Sequence, residues 1–377
     1  MTTGQPESGW SADQTRTRPT AGPTTESAAT PAADPPTFAG PTLTTAVLGA
    51  IDEHLTGHGT CRDRAALIDA ADGRSLTYAE FASVVPAAGA GLARRGVRTG
   101  DVAAVHVSAA RELTLAVHAL VAAGAVPVAV RPVAPGRPGV DELAARLTAC
   151  EARLLMTAPP LAAAALAAAD RSYVRQVFAF GDPGGDPGGE GVPGATGFGE
   201  LLGGGGPHPR IDPLRDHALL VDDPVDDPVD DPVDDPVDDL VDDPPGTRPQ
   251  RLTHADRLAA IYRLAGAAAV GAGDVLVAAS AGCPVTTWLD LIDVALLRGA
   301  TFVAVTRAGS APLLRAIETY GATLAVVSPA TLTALANDGA VMPPPGPTRR
   351  VLVTGPAPMD AVRGCRRRYE WSIDTLG

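Results

Sequence analysis

At 377 residues the chain has room for two or three ordinary domains, and its 45% hydrophobic content can fill a sizeable core. All 30 basic side chains are arginine, so neither a Schiff-base amine nor the lysine of a Walker-type phosphate loop can come from this sequence. The net charge of -13 is local: six tandem tetrads from Val221 to Pro244, VDDP five times and VDDL once, carry 12 of the 43 acidic residues and leave 31 against 30 arginines, a balance that argues against nucleic acid or an anionic membrane as partner.

Residues 1–41 are Thr, Ala, Pro, Ser and Gly with scattered charge and read as a disordered tail. They show no basic start followed by an apolar core, and no apolar run in the chain reaches a membrane span, so a soluble cytoplasmic protein is expected. From Leu43 to Leu55 the pattern suits a short helix. Ala66–Ala70 and Ser75–Tyr78 flank Ala71-Asp72-Gly73-Arg74, a hairpin signal. Ala79–Arg95 is helical and ends at Gly96, Asp101–Val107 is an apolar strand, Glu112–Ala123 is a helix stopped by Gly124, and Ala125–Val130 is the next strand. A helix over Val140–Cys150 and strands at Arg153–Thr157 and Val177–Phe180 follow, before a Gly/Pro-rich linker from Gly181 to Pro209.

Proline at every fourth position and dense like charge predict a solvated, extended segment for the tetrads, either a repeat expansion without a role or a loose binder of cations. Beyond them the first pattern recurs. Gly273-Asp274-Val275 echoes Gly100-Asp101-Val102, and Ala295–Val305 echoes Ala119–Val130. A helix at Pro312–Tyr320 and strands at Thr323–Ser328 and Val351–Thr354 complete it. The fold class expected is α/β: two βαβ-type subdomains with mostly parallel central sheets flanked by helices, over residues 42–220 and 251–377, separated by the tetrads and loop at 221–250. Trp288 falls in an apolar helix with Leu291, Ile292 and Ala295, a core pattern. Cys61, Cys150, Cys283 and Cys365 lie far apart with no metal-ligand or redox spacing and read as buried thiols in a reducing compartment. No metal site and no Ser-His-Asp motif is visible.

The two halves, with Leu76-Thr77-Tyr78-Ala79-Glu80-Phe81, resemble the large N-terminal domain of the adenylate-forming (AMP-binding) ligases, and Ala116–Ala163 followed by Val177–Gly181 looks most like the 4-coumarate–CoA ligase and acyl-CoA synthetase branch. The resemblance implies activation of a carboxylic acid with ATP and Mg²⁺ to an acyl-adenylate and transfer to coenzyme A. It also implies a Ser/Thr/Gly-rich phosphate loop ending in Pro-Lys-Gly before a Leu-Thr-His. Here Leu252-Thr253-His254 is preceded by Gly246-Thr247-Arg248-Pro249-Gln250-Arg251, so Gln250 stands at the lysine position. The family's aromatic-aromatic-His stretch falls on Gly282-Cys283-Pro284, with proline at the histidine position. The adenine strip corresponds to Gly355-Pro356-Ala357-Pro358, and Leu376 takes the place of the adenine-stacking tyrosine.

The cofactor-contact candidates are therefore Gly246, Thr247, Arg248, Arg251, Thr253, His254, Gly355, Pro356, Ala357 and Pro358, with no catalytic residue assigned. Arg248 and Arg251 could substitute for the lost ammonium or serve the surface. His254 could meet phosphate as a cation or cap and solvate its turn. The expectation is an acid–CoA ligase-like protein of impaired catalysis, truncated before the C-terminal lid. The alternatives are residual adenylation with a lid supplied by a protein partner, or a non-catalytic module binding a small carboxylic acid or nucleotide.

Overall fold

The computed structural model describes residues 40–57, 63–133, 136–181, 192–206, 209–221, 249–338 and 350–376. The expected tail and the acidic tetrads lie outside the described residues, except that Gly40-Pro41 lead into the first helix and Val221 closes a strand. Among the described residues no helix is long and apolar enough to cross a membrane.

In chain order, α1 (Leu43–Gly57) precedes the hairpin β1 (Ala65–Asp69) and β2 (Ser75–Thr77). Gly73 turns that hairpin at φ +77° and donates its N–H to the Asp69 carbonyl at 2.8 Å, a conformation costly for any side chain with a Cβ. Next come α2 (Tyr78–Arg94), β3 (Val102–His106), α3 (Ala110–Ala122), β4 (Val126–Ala129), α4 (Arg137–Ala149), β5 (Leu154–Thr157), α5 (Ala162–Ala169), β6 (Gln176–Ala179), β7 (Thr196–Gly197) and β8 (His217–Val221). Thr77 starts α2 with a capping box, accepting from the Glu80 N–H at 3.1 Å while Glu80 accepts from the Thr77 N–H at 2.8 Å. Beyond the tetrads follow β9 (Gln250–Thr253), α6 (His254–Ala268), β10 (Val275–Ala279), α7 (Val285–Arg298), β11 (Thr301–Val305), α8 (Ser310–Tyr320), β12 (Leu324–Val327), α9 (Pro329–Asn337), β13 (Arg350–Val353), α10 (Met359–Tyr369) and β14 (Ser372–Thr375).

The fold is the expected α/β arrangement of two mostly parallel sheets. One has the order β7-β6-β5-β3-β4-β8-β9, the other β14-β13-β12-β10-β11-β1-β2, and in each only the last pair is antiparallel. The echoed sequences do the same job in both: Val126 N–H bonds the Asp101 carbonyl at 2.8 Å, and Thr301 N–H bonds the Asp274 carbonyl at 2.9 Å. Sequence order and sheet membership part in two places. The β1–β2 hairpin, in the first half by sequence, joins the second sheet, with Leu67 opposite Phe302. Strand β9, from beyond the tetrads, closes the first sheet with Gln250 opposite Val221. Burial explains the hairpin's place, because Leu67 packs into the central core while its neighbour Ile68 packs on the other side of the sheet. A strand apolar on both faces needs cover on both.

Helices α1, α2, α3, α6 and α7 fill the space between the sheets, and the core they form draws on the inner faces of both. Helices α4 and α5 cover the outer face of the first sheet, and α8, α9 and α10 that of the second. Close approach in the middle layer depends on small residues. A Cβ on Gly91 would overlap the Leu201 carbonyl and stand 2.7 Å from the Leu201 Cα, all backbone atoms. Gly91→Ala should therefore cost about 1–3 kcal/mol or more in chemical denaturation, beyond any gain in helix propensity. An unchanged midpoint would mean that this turn yields freely.

Candidate functional site

Ligands of parallel α/β sheets bind beyond the carboxyl ends of the strands, at the point where strand order reverses. In the second sheet that point lies between β10 and β12, because β11 leaves β10 on one side and β12 on the other. Three connections meet there: Ser280–Pro284 after β10, Ser328 after β12 and Thr354–Pro358 after β13. Gly282 has φ +70°, and a Cβ on it would stand 2.8 Å from the Ser328 hydroxyl oxygen, so the first two connections touch. Ser328 also caps α9, accepting from the Thr331 N–H at 3.2 Å. Gly355, Pro356, Ala357 and Pro358 are placed at this edge, with both prolines exposed and Pro358 at the N-cap of α10. Beside them the Thr354 hydroxyl is buried without a hydrogen-bond partner among the described residues. Leu376 donates its N–H to the Val353 carbonyl at 2.8 Å and packs against the core.

The remaining candidates do not converge on that edge as a set. Gly246, Thr247 and Arg248 lie outside the described residues. Arg251 is exposed on β9, opposite Leu220. Thr253 is occupied as the cap of α6, accepting from the Asp256 N–H at 3.1 Å and donating to the Asp256 carboxylate at 2.8 Å. His254 corrects both sequence readings: it is 1% exposed, and its Nδ1 accepts the Leu43 N–H at 3.2 Å, an otherwise unpaired donor of the first turn of α1. Burial pushes its pKa down to about 4, so at neutral pH it neither meets phosphate as a cation nor solvates a turn.

Sequence reasoning missed a polar cluster between the sheets. Arg257 of α6 donates from Nη2 to Asp293 of α7 at 2.8 Å. The other Asp293 oxygen takes the His118 Nε2–H of α3 at 2.8 Å, and the Thr44 hydroxyl of α1 stands 3.3 Å from His118 Nδ1. Thr44, His118 and Asp293 thus have the order of a nucleophile, base and orienting acid, but all three are buried and no substrate reaches them. Asp290 stands 3.0 Å from Arg257 Nη2, within ion-pair distance but outside hydrogen-bond geometry.

Burial, only partly offset by Arg257 and reinforced by Asp293, raises the Asp290 pKa from 3.8 to about 6. The folded state then holds a proton that the unfolded state has released, so this group's contribution to stability declines as pH rises from about 4 to about 6. The loss at neutral pH is on the order of 3 kcal/mol. Asp290→Asn should accordingly be more stable than the parent at pH above this window and lose that advantage below it. Parallel stability–pH curves for the two proteins would overturn the assignment.

A cavity of about 540 Å³ opens between the carboxyl ends of β3 and β4 in the first sheet and β10 and β11 in the second. Its walls are Val105, Val107, Leu113 and Val130 from one half and Val285 and Trp288 from the other. Ser108, Ser280 and Thr306 supply hydroxyls, Arg131 a guanidinium, and among the described residues no carboxylate lines it. At its edge Asp69 caps α3, taking the Ala110 N–H at 2.9 Å and the Arg111 N–H at 3.3 Å. Burial raises the Asp69 pKa, and those two backbone donors oppose the rise. The size and lining suit an apolar or aromatic body with one polar end. Cys283, which lines the cavity, is buried, as are Cys150 and Cys365, while Cys61 lies outside the described residues.

The nucleotide fit is partial. The unpaired Thr354 hydroxyl and the backbone after β13 could meet a purine edge. A triphosphate finds less: Gln250 is held in a strand at the lysine position, Pro284 caps α7 where an imidazole is expected, and Arg251 is the cation on β9. Among the described residues no group of three His, Cys, Asp or Glu could hold a metal ion.

Residues 56–190 match the AMP-binding enzyme family. No curated protein matches the chain in sequence. Among solved structures, the chain is similar to a long-chain-fatty-acid–CoA ligase of Archaeoglobus fulgidus, with a TM-score of 0.67, 18% identity, and coverage of 89% of this chain and 64% of that one. A benzoate–CoA ligase of Burkholderia xenovorans LB400 gives 0.64 and 15%, over 87% of this chain and 60% of that one. An amide bond synthetase of Marinactinospora thermotolerans gives 0.64 and 21%, over 89% and 60%. The chain thus spans less than two thirds of the length of each of these three proteins, and the fold is that of the N-terminal domain of adenylate-forming ligases.

Proposed function

We propose that the chain is an acid–CoA ligase-like protein whose adenylation chemistry is impaired and whose surviving activity is to bind a small apolar or aryl carboxylic acid in the cleft between the two sheets. The observation that carries the reading is the cavity of about 540 Å³ at the carboxyl ends of both sheets, apolar in its walls and without a carboxylate among the described residues that line it. Support for impairment comes from Gln250 and Pro284 in the positions where the resemblance expects lysine and histidine, and from the buried, uncharged His254. ATP or AMP would be held at the Gly355–Pro358 edge by backbone contacts and the Thr354 hydroxyl alone, an attachment of roughly millimolar strength. Mg²⁺ and coenzyme A enter by resemblance. The 4-coumarate branch is the part of the family we favour, on the strength of Ala116–Ala163.

Trp288 in the cavity wall offers the readout. Titration with benzoate or decanoate should change tryptophan emission saturably, and Ser280→Phe, which fills the mouth, should abolish the change while circular dichroism stays constant. Emission that never saturates, or that saturates equally in the variant, would remove the cleft from the account.

A further inference from the structure

A second concavity lies across β11 from the cleft, on the outer face of the second sheet. It is a groove of about 290 Å³ between α8 and the turn that follows β1. Thr306 stands on the rim common to both cavities. Where the cleft is apolar, the groove is basic. Arg307, in the connection from β11 to α8, and Arg315, on α8, both line it, with hydroxyls from Thr306, Thr319 and Tyr320. No carboxylate lines the groove, and neither guanidinium has an ion-pair partner among the described residues. Both arginines are exposed, as are Thr306 and Thr319, so the groove is open to solvent.

Guanidinium groups stay charged at every physiological pH and present paired donors to a tetrahedral oxyanion, while threonine and tyrosine hydroxyls can supply the remaining hydrogen bonds. The groove is too small for a whole nucleotide and large enough for a phosphate and its first substituent. We propose that this groove is an oxyanion site that takes a phosphomonoester, gripped by Arg307 and Arg315. It is separate from the acid-binding reading of the cleft, and its failure would leave that reading untouched.

The test is calorimetric titration of the full chain with inorganic phosphate and with phenyl phosphate at low and at physiological ionic strength. Saturable one-to-one binding is expected for both. Arg307→Ala and Arg315→Ala should each weaken it at least about tenfold, as loss of a charge-assisted bidentate contact requires. Arg367→Ala, an exposed arginine of α10 outside the groove, should change nothing. Phenyl phosphate affinity should rise with pH through its second ionisation, near about 6, because the dianion engages both arginines. Thermal midpoints without phosphate should be the same for parent and variants, which keeps a folding defect apart from a binding defect. Absence of saturable binding, or an equal loss in Arg367→Ala, would overturn the proposal and leave general surface charge as the explanation.

Discussion

Asp293→Ala should lower the free energy of unfolding by about 3–5 kcal/mol. Its carboxylate faces two groups that water does not reach, Arg257 at 2.8 Å and His118 at 2.8 Å, and alanine leaves both without their acceptor. Arg257 is 1% exposed and already has Nε and Nη1 without hydrogen-bond partners among the described residues, and Asp290, 3.0 Å from Nη2, sits outside hydrogen-bond geometry. Replacing the pair together, as Arg257→Met with Asp293→Leu, should recover much of the loss, since well-packed apolar groups of similar volume remove the desolvation penalty along with the attraction. The measurement is the urea midpoint of the three proteins at one pH. If the single variant unfolds at the parent's midpoint, the cluster is hydrated and the buried-charge account is wrong.

ATP–pyrophosphate exchange by the purified chain should be indistinguishable from background with every aryl or fatty acid offered. Adenylation needs oriented donors and cations where negative charge gathers as pyrophosphate leaves, and each one lost costs on the order of 10²-fold in rate. The chain has no lysine, holds Gln250 in a strand, and keeps His254 uncharged in the core. Robust, acid-dependent exchange would refute impairment. It would favour the reading in which Arg248 and Arg251 replace the ammonium and another polypeptide supplies the lid, and Arg248→Ala and Arg251→Ala should then silence it.

Element by element, the regular structure was largely legible. The apolar runs at Val102–Val107, Val126–Val130, Val275–Ala279 and Thr301–Val305 became neighbouring parallel strands, and Gly124 ended its helix as expected. Strands β7, β8, β9 and β14 were not foreseen; β8, His217–Val221, is a short apolar run that the tetrads cut off before a period shows. Thr196–Gly197 is too short for a pattern, and Gln250–Thr253 and Ser372–Thr375 are edge strands whose mostly polar residues need burial on one face at most. Helices α5, α9 and α10 were not foreseen either; in α5, AAAALAAA is apolar all round and has no period to detect. At the candidate site, the Gly355–Pro358 turn could be located from sequence, but its neighbours Ser280 and Ser328 come from other connections that only the sheet order unites.

By itself the sequence determined the fold class, the internal duplication and the chemistry that lysine would have supplied, because these depend on local periodicity, on Gly and Pro stops and on residue type. Only the tertiary structure decided that the β1–β2 hairpin belongs to the second sheet, that β9 closes the first, and that His118, Arg257 and Asp293 meet between them. Those outcomes turn on which buried faces find cover and which charges find partners across long stretches of chain. His254 shows the difference most plainly: its place before a helix suggested a ligand contact, and the packing of α1 against it made it a neutral, buried acceptor.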